Sequence, residues 1–292
     1  MNNVNLKWVY LFALSIIWGS SFILMKKVLI GLTPVQLGSL RILFTGFFLF
    51  IVGFNKLKTI KPKDWKWVSV TGVLGTFFPV FFFAYAQTEI DSSIASILNS
   101  LVPLNTVIIG FIVFKITSTK RQILGVFIGL LGAVLLIANG ASINSNQNYL
   151  YTIYIILATV SYATSVNVLK RYLQNMHALT IAVGNFVVII IPAIVILISS
   201  GFFKAEVLAS PNLKPALFYL VILSLFGTAV AKVLFNKLVH VATPVFASSV
   251  TYLMPIVAIF WGVLDGESLS LLQIIASLVI LFGVYLSHRR KS

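Results

Sequence analysis

The sequence predicts an all-α polytopic membrane protein: ten transmembrane helices arranged as two inverted five-helix repeats, with both termini cytoplasmic. Three observations lead there. Of 292 residues, 59% are hydrophobic and only 9% charged, with a mean hydropathy of +1.04, whereas a soluble domain carries about 25% charged residues. Ten separate apolar stretches of spanning length follow one another, using roughly 20 residues each. The two halves share small ordered motifs at a nearly constant offset.

The predicted spans are 8 to 25, 34 to 54, 67 to 86, 93 to 114, 121 to 139, 149 to 169, 178 to 200, 216 to 237, 244 to 264 and 269 to 287. The first is too long for a signal-peptide core and leads into no polar mature domain, so it reads as a helix of the mature protein. The short segments between spans leave no room for a sizeable water-soluble domain. With no cysteine in the chain, disulfides, thiolate metal sites and cysteine nucleophiles are excluded.

Charge fixes the expected orientation. Lys and Arg outnumber Asp and Glu by 21 to 6; in a membrane protein such an excess encodes sidedness, so no nucleic-acid partner is expected. One side collects 15 basic residues, among them Lys7, the five lysines from Lys56 to Lys66, Lys170, Arg171 and the tail Arg289, Arg290 and Lys291. The other side holds Lys26, Lys27, Lys204 and Lys214, and Arg41 and Lys232 fall within spans. The first side is therefore predicted to be cytoplasmic. Lys56 to Lys66, flanked by Trp65 and Trp67, reads as an interfacial belt that can also attract anionic lipids.

The halves correspond as residues 1–140 and 149–288, followed by a basic cytoplasmic tail, 289–292. Trp18 aligns with Tyr162 at an offset of 144; Gly75-Thr76 with Gly227-Thr228, Asn99 with Thr251 and Pro103 with Pro255 at 152; Gln122 with Gln273 and Gly132 with Gly283 at 151. Five spans per copy is an odd number, so the second copy inserts in the opposite sense. Inverted repeats that rock about a central site are an architecture of secondary transporters.

These residues resemble the drug/metabolite transporter superfamily and, within it, the EamA-like ten-helix permeases. The resemblance rests on Trp18-Gly19-Ser20-Ser21-Phe22, Leu40-Arg41, the run from Ser96 through Pro103 to Gly132, then Pro255, Gly266-Glu267, Gln273 and Gly283, and covers essentially the whole chain. It implies an inner-membrane permease, often an exporter of amino acids or other small metabolites. One departure stands out: the position matched to Glu267 in the first copy is Lys115, where the family often has Glu.

A cation at bilayer depth costs about 2.5 to 3.5 kcal/mol and by default faces a cavity. Arg41 lies seven residues past Pro34, roughly 10 Å below its end of the span, with backbone carbonyls as its expected partners. Lys232 lies about five residues from the other end of its span, within snorkelling reach. No Asp or Glu falls inside any predicted span, which favours a carboxylate-bearing substrate over a lipophilic cation. Amino acids qualify, presenting their ammonium to carbonyls or aromatic faces.

The expected substrate-binding set is Trp18, Ser21, Arg41, Asn99, Tyr162, Ser165, Asn167, Asn185, Lys232, Thr251 and Tyr252. Pro103 and Pro255, each freeing a carbonyl one turn earlier, are the expected hinges. Phe77, Phe78 and Phe81 to Phe83 read as a bulky surface toward lipid or neighbouring helices, and Gly125, Gly129 and Ala133 as a small-residue packing face. No catalytic, nucleotide-binding or metal motif is present, so neither an enzyme nor a cofactor is expected. The predicted function is a secondary transporter exporting amino acids or related carboxylate-bearing compounds across a bacterial inner membrane. The alternatives are an exporter of lipophilic cations or drugs, and a passive channel or scramblase.

Overall fold

The structure, a computed structural model, describes residues 3–116, 119–143 and 147–288; the basic tail 289–292 lies outside the described residues. The described chain is helical, with no strand among the described residues. Among the described residues, nine helical spans are long and apolar enough to cross a bilayer: α1 (Leu6–Leu29), α2 (Pro34–Thr59), α3 (Pro62–Ala86), α4 (Ser92–Ile112), α5 (Lys120–Ala138), α6 (Tyr149–Tyr172), α7 (Ala178–Ser199), α8 (Leu213–Val241) and α9 (Phe246–Leu264). A shorter apolar helix, α10 (Leu271–Leu286), follows. Many large apolar side chains, such as Ile51, Phe127 and Leu271, remain exposed on the outside of the bundle, as expected where lipid covers them.

Local chemistry sets the helix starts. Thr33 and Gln36 form a reciprocal capping box in front of α2, and Pro34 occupies its first turn. Thr119 with Gln122, and Ser270 with Gln273, make the same exchange ahead of α5 and α10. The Gln122–Gln273 correspondence is thus a capping requirement: the amide oxygen accepts a backbone N–H that the helix cannot satisfy.

Two pairs of spans pack antiparallel through small residues. A Cβ on Gly46 would sit 3.1 Å from Ile190, and one on Gly53 2.5 Å from Val183, so α2 and α7 run in opposite directions. Gln36 at the start of α2 accordingly donates to the Ser200 carbonyl just past α7. Gly132 abuts Ile280 and Gly129 abuts Gly283 with no room for a side chain, clamping α5 against α10, also antiparallel. The remaining spans cross between halves: α1 packs along α9 and α8, and α6 along α3 and α4.

Both α3 and α8 contain a π-helical turn, at Val73–Phe77 and Leu225–Val230. A π turn lets one helix turn accommodate an extra residue and displaces carbonyls from regular pairing. The glycine in each is required by close approach: a Cβ on Gly75 would lie 2.3 Å from Ser165 Oγ, and one on Gly227 2.6 Å from Ser21 Oγ.

Several spans run longer than expected: α2 continues to Thr59, α3 begins at Pro62 and α8 continues to Val241. Lys237 and His240 are polar but still helical, so Lys232 lies nine residues from that end, roughly 14 Å. The two prolines are also treated differently. Pro103 stands in the first turn of a helix that restarts at Val102 after a break at Ser100–Leu101. Pro255 lies inside a continuous helix, Val250–Leu264, whose break falls earlier, at Ser249.

Candidate functional site

A cavity of about 100 Å³ lies at the centre of the bundle, between α1, α2, α3, α4, α6, α8 and α9. Its walls pair residues from the two halves. Trp18, Ser21, Phe22 and Met25 form one face of α1, and Tyr162, Ser165, Val166 and Leu169 form the corresponding face of α6, each 144 positions later. Phe83 and Phe235, Asn99 and Thr251, and Val102 and Met254 are further counterparts on the walls, each pair 152 positions apart. Aromatic rings seal the walls: Trp18 meets Phe235 at 5.2 Å between centroids, and Phe83 meets Phe22 at 5.7 Å and Tyr162 at 6.1 Å.

Two cations break this correspondence, and both line the cavity. Lys232 Nζ donates to the Gly75 carbonyl at 3.0 Å. Its ammonium therefore points into the protein, not toward the membrane surface, which removes the snorkelling reading. The deeper position of Lys232 explains this: the nearby displaced carbonyl of the α3 π turn is an acceptor that an extended stem need not leave the bundle to find. Arg41 Nε donates to Thr228 Oγ1 at 2.8 Å, so its partner is a hydroxyl on the α8 π turn, not the expected backbone carbonyl. Both residues are only 8% exposed, and no Asp or Glu lines the cavity among the described residues.

The other polar groups are fixed from outside the cavity or left open. Trp18 Nε1 donates to the Gly227 carbonyl at 3.0 Å, the counterpart of the carbonyl that holds Lys232. Ser165 Oγ reaches the Thr71 carbonyl at 3.4 Å, and Thr251 Oγ1 donates to the Ser248 carbonyl. The amide oxygens of Asn99 and of Asn236, which also lines the cavity, are buried without a donor. An unpaired buried acceptor costs about 1–3 kcal/mol, a cost that a bound donor would remove.

Three expected residues lie elsewhere. Asn185 donates to the Val68 carbonyl at 2.7 Å and to Thr71 Oγ1 at 2.9 Å, tying α7 to α3. Asn167 faces a different cavity, where its amide is committed to the Thr106 and Ala163 carbonyls. Tyr252 turns away from the centre to donate to the Val284 carbonyl in α10. Conversely, Phe83, expected on a bulky surface toward lipid or neighbouring helices, is buried and lines the cavity, while Phe78 remains exposed.

The two ends of the bundle differ. At the end away from Lys56–Lys66, Glu267 is buried and accepts five hydrogen bonds. Oε1 takes Lys26 Nζ at 2.9 Å, Ser92 N at 3.1 Å and Ser92 Oγ at 2.7 Å; Oε2 takes Ser93 N at 3.0 Å and Ser93 Oγ at 2.7 Å. Asp265 pairs with both Lys26 and Lys27. This cluster ties α1 to the starts of α4 and α10. Burial alone would raise the Glu267 carboxyl, but its bonds to Lys26, Ser93 and Ser92 hold it below the ordinary carboxylate range. The lysine-rich end instead encloses a cavity of about 760 Å³ between α1, α4, α5, α6, α8 and α9.

The turns at the two ends also correct the alignment of Lys115. Among the described residues, the non-glycine residue with positive φ is Lys115 (54°), and its counterpart in shape is Gly266 (88°). Glu267 is therefore matched by Ile116, and the extra residue in the first turn accounts for the change of offset from 152 to 151.

A bundle of apolar spans around a polar, cation-lined centre defines an integral membrane transporter. The EamA-like transporter family model matches residues 6–138 and again 150–289, and the chain belongs to this family. It is 28% identical to the uncharacterized inner membrane transporter YedA of Escherichia coli K12 over 94% of this chain and 88% of that one. An uncharacterized transporter of Archaeoglobus fulgidus is 26% identical, covering 98% and 99%, and protein PecM of Dickeya dadantii is 24% identical, covering 94% and 92%. A protein of known crystal structure shares the fold with a TM-score of 0.67 over 95% of this chain and 94% of that chain, at 16% identity.

Proposed function

We propose that this transporter is a secondary carrier exporting small carboxylate-bearing metabolites, amino acids among them, across a bacterial cytoplasmic membrane. Its halves, 1–140 and 149–288, insert in opposite senses as five spans each and alternately open the central cavity. The lysine-rich end faces the cytosol, where the belt at Lys56 to Lys66 meets anionic lipid. The antiparallel packing of α2 on α7 and of α5 on α10, with the matched π turns and cavity walls, supports the inverted arrangement.

The observation that carries the substrate reading is that Arg41 and Lys232 share one cavity with no carboxylate. Lys232 has one protein acceptor and three N–H groups, and Arg41 has five N–H groups with one hydrogen bond to protein. A substrate carboxylate completes both sets, and charge-assisted bonds of this kind are about twice as strong as neutral ones. The ammonium of an amino acid finds the open oxygens of Asn99 and Asn236 and the faces of Trp18, Tyr162 and Phe235. Binding-site assignments for Ser21, Ser165 and Thr251 follow from their place on the same walls.

The test is thermal stability of the purified protein with neutral amino acids, sugar phosphates and lipophilic cations, since a ligand of the folded state raises apparent stability. Stabilisation by amino acids, lost in Lys232→Met, is the expected result. Stabilisation by lipophilic cations alone sinks the reading and leaves the aromatic walls as the recognition surface.

A further inference from the structure

We propose that the cavity at the lysine-rich end is a second anion-binding site, in which Lys7, Arg171 and His240 hold a carboxylate or phosphate group. Its volume is about 760 Å³, and its walls include Lys7, Lys170, Arg171 and His240 with no Asp or Glu among the described lining residues. The distribution of basic residues between membrane faces explains lysines on exposed loops, as at Lys56 to Lys66. It does not explain basic side chains gathered around one recess without a counter-ion.

The four are not equivalent. Lys170 is spent on protein: its ammonium donates to the carbonyls of Val239, His240 and Ala242 at 3.0, 3.4 and 2.8 Å, so it contributes field without a free donor. Lys7 Nζ lies 5.1 Å from the centroid of the Phe246 ring, a contact that leaves its N–H groups available. Arg171 forms no ion pair among the described residues. His240 Nε2 is buried without a partner, an atom that donates to an anion when it carries the proton.

The opposite mouth shows what a neutralised version of the same place looks like. Lys26, 144 positions before Lys170, is paired with Asp265 and Glu267. At the lysine-rich end the turn position matching Glu267 is Ile116, itself on the cavity wall. The counter-charge that protein supplies at one mouth is left for a ligand at the other. Under the carrier reading, on which only the direction of use depends, this vestibule collects an anionic group from the cytosol and raises its local concentration next to the central cavity.

The absence of native cysteine makes a site-specific test direct. Ile116→Cys places one thiol on the cavity wall, and its reaction rate with an uncharged maleimide is followed in neutral detergent at constant ionic strength. Succinate, inorganic phosphate and phosphatidylglycerol in mixed micelles serve as separate probes. The expected result is about a tenfold slowing by an anion, abolished in Lys7→Gln/Arg171→Gln and retained in Lys232→Met. Protection by succinate or phosphate identifies a free solute as the source, and protection by the micellar lipid alone identifies a lipid headgroup. No protection by any probe, or protection that survives the double variant, overturns the proposal. Size-exclusion profiles confirm that the variants fold. If protection holds while amino acids fail to stabilise the protein, the vestibule stands and the central-cavity reading falls.

Discussion

Glu267→Gln tests the closed mouth with almost no change of shape. The glutamate accepts three bonds on Oε1 and two on Oε2; glutamine retains one oxygen and turns the other into a donor. At that second position a serine hydroxyl can rotate to accept, but the backbone N–H of Ser92 or Ser93 cannot. One buried N–H left open costs about 1–3 kcal/mol, and the surviving bonds fall from roughly 1.5–3 to 0.5–1.5 kcal/mol each as the charge disappears. Breaking one side of a buried pair costs about 3–5 kcal/mol. Lys26 is 32% exposed and retains Asp265 at 2.9 Å, so screening places the net near the bottom of that range, about 3 kcal/mol. If the cluster forms only while this mouth is closed, the whole amount transfers to the open–closed equilibrium, shifting it about 100-fold. With Val102→Cys as a reporter in the central cavity, an impermeant thiol reagent outside intact cells should label the Glu267→Gln background about 100-fold faster. Glu206→Gln, which alters an exposed acid, should leave labelling unchanged. A folded Glu267→Gln protein labelled at the parental rate would refute the latch.

Acid should act on the same cluster only at low pH. Asp265, like Glu267, is held below its ordinary range: burial opposes this, and the bonds to Lys27 and Lys26 prevail. A depressed carboxylate stabilises its folded contacts above its unfolded pKa, near 4, and the contribution is lost as pH falls through the lower folded value. Labelling of the Val102→Cys reporter, divided at each pH by that of a fully exposed cysteine to cancel the falling thiolate fraction, should therefore be flat from pH 8 to 6 and rise only below about pH 4; a rise near neutrality would show that another group governs opening. Gly75→Ala places a Cβ 2.3 Å from Ser165 Oγ and 3.1 Å from Lys232 Nζ, so it should abolish Lys232-dependent stabilisation by amino acids while membrane insertion persists, with partial recovery in Gly75→Ala/Ser165→Gly. Gly283→Leu drives a side chain into the backbone of Gly129, 2.3 Å from the first added carbon; overpacking of this kind costs about 1–3 kcal/mol or more, and the apparent melting temperature should fall, whereas Leu278→Ala on the exposed side of α10 should barely move it.

The spans were legible because bilayer insertion is a coarse requirement: about 20 apolar residues satisfy it whatever their order. What order adds is helix phase, which assigns side chains to one wall or another. Trp18, Ser21, Phe22 and Met25 are spaced i, i+3, i+4, i+7, as are Tyr162, Ser165, Val166 and Leu169, and both sets face the cavity. Two residues of α6 that differ by 200° around the axis, Ser165 and Asn167, cannot share that face, and the structure divides them between two cavities. Thr251 and Tyr252 are separated by the same argument, 100° apart. The π turns were hidden for another reason. Gly75-Thr76 and Gly227-Thr228 were visible as repeat markers, but a glycine–threonine pair carries no intrinsic preference for an i to i+5 turn. Ser165 and Ser21, from other spans, approach the two glycines so closely that neither position admits a side chain, contacts made 90 and 206 positions away along the chain. The same turn supplies the carbonyl that draws Lys232 inward. A tertiary contact therefore decides whether that lysine reads as membrane anchor or as cavity cation, and the charge of the central site follows from how α6 meets α3.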